Sequence, residues 1–179
     1  MAAHVVLVGL MATGKTTIGR RLAKRLDIPF VDADGELEQR TGQSVRDLFE
    51  KEGEDGFRRL ESELLGELLA ATEPYVIATG GGVVITPENR VLLKQSGAFV
   101  VWLDADPTFL ASRAAGKTNR PLLDGDPVGT LTRLATERRA WYDEVADATI
   151  DIRPAFREQE NPKDHLSYVI AGLVRERDK

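Results

Sequence analysis

The stretch Val5-Val6-Leu7-Val8-Gly9-Leu10-Met11-Ala12-Thr13-Gly14-Lys15-Thr16 decides the fold. Its first four residues are valine or leucine, as a strand buried on both faces requires. The next eight, Gly9 to Thr16, fit the pattern G-x-x-x-x-G-K-[ST]. Ile18, Leu22 and Leu26 then recur at a spacing of four, which lays them along one face of a helix. Strand, glycine loop and helix in this order form the context that gives the motif its meaning. Glycines let the backbone curl until several N–H groups face inward at phosphate oxygens. The helix N-terminus adds partial positive charge. Ala12, Thr13, Gly14, Lys15, Thr16 and Thr17 are therefore the expected nucleotide-binding residues. Lys15 can reach β- and γ-phosphates, and the Thr16 hydroxyl can ligate Mg²⁺.

The rest of the chain repeats the alternation. Short apolar runs at Phe30–Asp32, Tyr75–Ala78, Phe99–Leu103 and Ala148–Ile152 read as further strands. Between them lie helical stripes: Leu60, Leu64, Leu65, Leu68 and Leu69 in a helix from about Glu54 to Ala71, and Leu166, Val169, Ile170, Leu173 and Val174 near the end. Ser44 followed by Asp47 resembles a capping box opening another helix. The expected class is α/β, with a parallel sheet covered by helices and ligands gathered at the carboxyl ends of the strands. With 179 residues, no repeat and no linker, one domain over 1–179 is expected.

Composition narrows the function classes. The net charge is -5, from 24 basic and 29 acidic residues, which argues against a general nucleic-acid binder. No cysteine is present, so disulfides and Cys-ligated zinc are excluded. No apolar run reaches the roughly 18 residues of a membrane-spanning helix. The first apolar stretch has no basic segment before it, so it does not read as an export signal, and a cytoplasmic protein is expected.

Candidate chemistry collects after the strands. Phe30-Val31-Asp32-Ala33-Asp34 ends in two carboxylates which, if the segment stays extended, point the same way. Asp32 then suits Mg²⁺, and Asp34 a hydroxyl-bearing acceptor, as base or as orienting group. Tyr75-Val76-Ile77-Ala78-Thr79-Gly80-Gly81-Gly82 ends in three glycines, whose backbone a ligand can approach closely. Arg58 and Glu61 share a helix face, as a surface ion pair or as a carboxylate grip. A polar stretch within about 114–127 reads as a mobile lid, and its Arg120 can cover a transferring phosphoryl group. His4 and His165 stand alone and read as structural or exposed; Trp141-Tyr142 reads as packing at a helix end.

Taken in order, these motifs resemble the shikimate kinase family over roughly Val5 to Arg153. The match runs through the phosphate loop, Asp32-Ala33-Asp34, Gly56-Phe57-Arg58-Arg59-Leu60-Glu61, Thr79-Gly80-Gly81-Gly82-Val83-Val84, Asn119-Arg120-Pro121-Leu122-Leu123, and Glu137-Arg138 with Tyr142. The resemblance implies a three-layer nucleoside-monophosphate-kinase-like fold on five parallel strands, with substrate-binding helices at about 33–62. It implies ATP phosphorylating the 3-hydroxyl of shikimate, with Mg²⁺ near Thr16 and Asp32. By the same resemblance Asp34, Arg58, Gly80, Gly81, Gly82 and Arg138 hold shikimate, and Glu61 supports Arg58. Lys15, Asp34 and Arg120 carry the catalysis, and Arg113 and the Arg153-Pro154 loop flank adenine. A monomer is implied. The chain departs from the pattern at Ala12 (glycine in the family), at Ala140 (proline) and over Ala155–Asp164. Two other readings are a gluconate-kinase-like enzyme of the same fold and a nucleotide-dependent switch without catalysis. Asp34-Gly35-Glu36-Leu37 lacks the gluconate-kinase pattern after the second strand, and no guanine-reading motif is intact.

Overall fold

The computed structural model describes residues 3–115 and 125–177. Five parallel strands form one sheet: β1 (Val5–Val8), β2 (Phe30–Asp32), β3 (Val76–Ala78), β4 (Phe99–Asp104) and β5 (Ala148–Asp151), in the order β2-β3-β1-β4-β5. The helices are α1 (Lys15–Leu26), α2 (Ala33–Thr41), α3 (Val45–Ala70), α4 (Pro87–Gln95), α5 (Pro107–Ala114), α6 (Pro127–Val145), α7 (Arg153–Glu158) and α8 (Pro162–Arg177).

The central strands are apolar and buried apart from the terminal Asp104 of β4, whereas the outer strand β2 is half-buried and β5 alternates half-buried and exposed residues. Ile18 and Leu22 of α1 are buried against the sheet, and Leu166, Ile170 and Val174 turn the inner face of α8 into the same core. Helix α8 packs on α1, where Asp164 pairs with Arg25 at 2.7 Å. His4 is also structural. Its Nδ1 accepts from the Tyr75 N–H and its Nε2 donates to the Ala71 carbonyl, each at 3.1 Å, joining the end of α3 to the start of β3.

Three boundaries differ from the sequence reading. The Ser44–Asp47 capping box is present, but it opens a helix that reaches Ala70 and merely kinks at Gly53, where φ is +70°. The segment Asp32–Asp34 is not extended throughout. Asp32 ends β2 and caps α2, accepting from the Gly35 N–H at 3.2 Å, and Asp34 lies in the first helical turn. Asp32 and Asp34 therefore do not project in parallel along a strand; a cap and a helical turn separate their directions. Arg153-Pro154 is not a loop but the start of α7, with proline in the first turn where its missing N–H costs nothing.

The strand order places the site. The chain leaves β1 toward β2 on one side, and leaves β3 toward β4 on the other. Between β1 and β3 the direction of winding reverses, which opens a crevice at their carboxyl ends. The loop after β1 and the glycine run after β3 form its two lips. At Gly9, φ is +141° and a Cβ would sit 2.4 Å from the Leu103 carbonyl oxygen of β4. At Gly42, φ is +68° with open space around it. Gly9→Ala is expected to cost about 3 kcal/mol, from clash plus conformation, and Gly42→Ala about 1 kcal/mol, from conformation alone. Urea denaturation of both variants checks this; equal losses would contradict it.

Candidate active site

The loop from Gly9 to Lys15 is held by its own polar groups. The Thr13 hydroxyl donates to the Leu10 carbonyl at 2.9 Å. Gly14, at φ +95°, caps α1, so the unpaired N–H groups of the first helical turn face the crevice. Ala12 takes φ +68°, a conformation that costs a residue with a Cβ about 1 kcal/mol. Its carbonyl accepts from Arg113 Nε at 2.9 Å, and the Arg113 guanidinium lies 3.9 Å from the Phe156 ring centroid. Lys15 is buried and arches over the loop, donating to the Gly9 and Leu10 carbonyls at 2.7 and 2.9 Å. The Thr16 hydroxyl donates to Asp32 Oδ2 at 2.5 Å, and Thr17 follows in the first turn of α1. Hydroxyl and carboxylate oxygens thus converge beside the loop, the hard-donor pairing that suits Mg²⁺ together with phosphate oxygens and water.

The opposite lip is a cluster of buried charge packed on bare backbone. Glu61 is 4% exposed and accepts from Arg58 Nη1 at 2.7 Å. The Arg58 guanidinium lies 5.6 and 5.3 Å from the ring centroids of Phe49 and Phe57. A Cβ at Gly80 would lie 2.9 Å from Glu61 Oε1 and 3.0 Å from Asp34 Oδ1; one at Gly82 would lie 2.4 Å from the Arg58 guanidinium. One at Gly81 would meet the Gly9 oxygen and Met11 nitrogen at 3.5 Å. Glycine is needed at 80 and 82 for close approach, since neither takes a left-handed φ, whereas a Cβ at 81 would make ordinary contact.

Burial raises both carboxylic acids of this cluster. For Glu61 it outweighs the attraction of Arg58 and Arg138. Asp34 is pushed up to about 6, first by burial, then by the charges of Glu61 and Asp32, with Lys15 opposing. It is ionised at neutral pH but within reach of protonation, which suits a group that takes a proton from an alcohol.

Helix α6 closes the cluster. Arg138 Nη1 donates to the Gly81 carbonyl at 3.0 Å, and the Tyr142 hydroxyl donates to the same oxygen. Two further supports are absent from the sequence reading. The fully buried Asn89 of α4 donates to the Val83 carbonyl at 3.0 Å. Arg90 donates to the Val84 and Ile85 carbonyls while pairing with Glu144 of α6 at 3.0 Å. A polar residue opening the helix after the glycine run was the available signal.

The structure therefore brings together Asp34, Arg58, Glu61, Gly80, Gly81, Gly82 and Arg138, and sets them against the phosphate loop and the Thr16–Asp32 pair. Arg153 is not part of this group: it pairs with Asp106 at 2.8 Å and Asp151 at 2.7 Å, and Pro154 follows it in α7. Arg120 and most of the proposed lid lie outside the described residues.

Helix-terminal amides and a lysine on one lip, and carboxylates with arginines on the other, define a P-loop kinase of small molecules. The family model described as shikimate kinase matches residues 11–165, and the chain belongs to that family. A shikimate kinase of Symbiobacterium thermophilum is 51% identical over 150 residues, covering 82% of this chain and 85% of that protein. One from Dechloromonas aromatica is 48% identical over 149 residues, covering 83% and 80%. Among solved structures, shikimate kinase from Acinetobacter baumannii in complex with shikimate superposes with a TM-score of 0.88 at 37% identity, covering 99% of this chain and 95% of that one. A gluconokinase from Sinorhizobium meliloti, at 18% identity and TM-score 0.60, shares the fold alone.

The charges around Asp34 make a direct prediction. A carboxyl titration followed by NMR is expected to place Asp34 near 6, and Glu61→Gln is expected to lower that value by removing a neighbouring negative charge. A rise, or no change, would contradict the assignment of its causes.

Proposed function

We propose that the chain transfers the γ-phosphoryl group of ATP to the 3-hydroxyl of shikimate. The observation that carries the reading is the glycine run, which brings Asp34, Arg58 and Arg138 against the phosphate loop across a single crevice. Membership of the shikimate kinase family fits it. Shikimate offers one carboxylate and three hydroxyls. Arg58 and Arg138 match the carboxylate by charge and fork geometry, and Asp34 matches a hydroxyl. The loop amides from Ala12 to Thr17 and the Lys15 ammonium receive the phosphates, with Arg113 on the nucleobase side. Thr16 and Asp32 would hold Mg²⁺, which supplies positive charge to the phosphates when bound.

Phosphoryl transfer asks little covalent work of a protein. The residues here align an alcohol with a phosphate, stabilise charge and orient one proton. Asp34 accepts or orients the hydroxyl proton, Glu61 holds Arg58 in place, and Lys15 faces the charge that develops on the transferring group. A covering role for Arg120 rests on the family resemblance. Among the described residues no helix is long and apolar enough to cross a membrane. We place the protein in the cytoplasm as a monomer. A gluconate-kinase-like specificity or a non-catalytic switch is disfavoured by membership of the shikimate kinase family, and the former also by Asp34-Gly35-Glu36-Leu37, which lacks the gluconate-kinase pattern.

An ADP-release assay with shikimate, gluconate and no acceptor tests the reading: turnover with shikimate alone supports it, and ADP release independent of acceptor contradicts it. Activity is expected to fall about tenfold per pH unit below pH 6, because the proton acceptor must be ionised. Asp34→Asn is expected to lower kcat at least 100-fold while sparing ATP binding. The same variant should melt a few degrees higher at pH 7.5. Folding raises the Asp34 pKa above its ordinary 3.8, so the stability it supplies is present below about pH 4 and lost as pH climbs through about 6; a neutral amide avoids that loss. Arg58→Lys keeps a charge beside Glu61 but removes the planar fork, and should raise the shikimate KM roughly 10–100-fold. An unchanged KM would remove Arg58 from the acceptor site.

A further inference from the structure

The Gly81 carbonyl is the point at which α6 meets the glycine run. Arg138 and Tyr142 lie four residues apart, hence on one face of the helix, and both donate to this oxygen. A carbonyl oxygen has two lone pairs, and both are engaged. Tyr142 is 1% exposed, and its ring stacks on Trp102 of β4 with centroids 5.6 Å apart. Burial pushes its hydroxyl up to about 12, so it remains a donor throughout the working pH range. Neither the phosphate loop nor the acidic cluster explains why a buried hydroxyl should be aimed at this one peptide.

Peptide planarity supplies a reason. The Gly81 carbonyl and the Gly82 N–H share a rigid trans unit, so turning the oxygen toward α6 points the N–H the opposite way and fixes the backbone on both sides. On one side Gly80 seats Asp34 and Glu61, and on the other Gly82 seats Arg58. Arg138 meets the same oxygen. Its Nε is buried and without a hydrogen-bond partner among the described residues, so its guanidinium is directed by the Gly81 oxygen, by the adjacent Tyr142 hydroxyl and by the charge of Glu61.

We infer that Tyr142 is a positioning residue of the acceptor site: its hydroxyl locks the Gly81 peptide and, through the shared oxygen, aims Arg138 at the acceptor carboxylate. This rests on the assignment of Arg138 to shikimate made above. Tyr142→Phe tests it, since it keeps the stacked ring and deletes one oxygen atom. The shikimate KM is expected to rise about fivefold to tenfold, the worth of one buried hydrogen bond, with kcat and the ATP KM within about twofold. Backbone amides of Gly80–Ile85 in the substrate-free protein should exchange with solvent faster by a similar factor. In an Arg138→Lys background the same deletion should add less than about twofold to the shikimate KM, because the two effects run through one oxygen. An unchanged shikimate KM overturns the inference. So does a parallel rise in both KM values with unaltered exchange at Gly80–Ile85, the pattern of general destabilisation. Should the wild-type protein fail to phosphorylate shikimate, the acceptor assignment falls on that result. The exchange measurement then decides the peptide-locking role by itself, and unaltered exchange overturns it.

Discussion

Charge packed against side-chain-free backbone is the constraint on which the site depends. Glu61 and Arg58 form an ion pair that is nearly withdrawn from water; Glu61 and Asp34 lie against Gly80, and Arg58 lies against Gly82. Such a pair is a poor source of stability, because desolvation consumes most of the attraction. Its effect is geometric. Held between Phe49, Phe57 and the Gly82 backbone, the Arg58 guanidinium has few other positions to adopt. The raised carboxyls of Glu61 and Asp34 are the electrostatic signature of that arrangement. Any side chain at 80 or 82 would displace the charges, which is why the run is glycine rather than merely a flexible turn.

The same backbone joins three parts of the fold that are distant in sequence. Gly81 touches the phosphate loop after β1, and its carbonyl receives two donors from α6. Asn89 and Arg90 of α4 hold the carbonyls of Val83, Val84 and Ile85, and Arg90 reaches Glu144 of α6. The acceptor side therefore has a fixed frame. The nucleotide side carries strain instead: Ala12 is held at a positive φ with Arg113 bonded to its carbonyl and stacked on Phe156. Strain of this kind persists only where the surroundings over-determine the conformation.

The sequence made the nucleotide half of this site legible, because the phosphate loop is a contiguous motif whose spacing encodes its geometry. Apolar runs located all five strands to within a residue at each end, and the capping box at Ser44 marked a helix start. Local patterns failed where geometry depended on what came next. Asp32 ends β2 as its neighbours indicate, but the same residue caps α2, so Asp34 lies in a helical turn and not in an extended continuation of the strand. The resemblance implied a loop at Arg153-Pro154, whereas the chain starts a helix there, with proline in its first turn. Tyr142 gave no signal of its role, and Asn89 and Arg90 only a weak one from their place early in the helix after the glycine run, since each acts through a carbonyl oxygen, and a carbonyl has no residue type to recognise.

The central claim is that the loop at Gly9–Lys15 and the cluster at Asp34 address the two reactants of one transfer across the crevice between β1 and β3. A crystal structure with shikimate and a non-hydrolysable ATP analogue bound together tests it most directly. The account predicts the γ-phosphorus roughly 3–3.5 Å from a ring hydroxyl oxygen that is hydrogen-bonded to Asp34. Both ligands well occupied but separated by several ångströms more, or the acceptor seated away from Asp34 and Arg58, would contradict it.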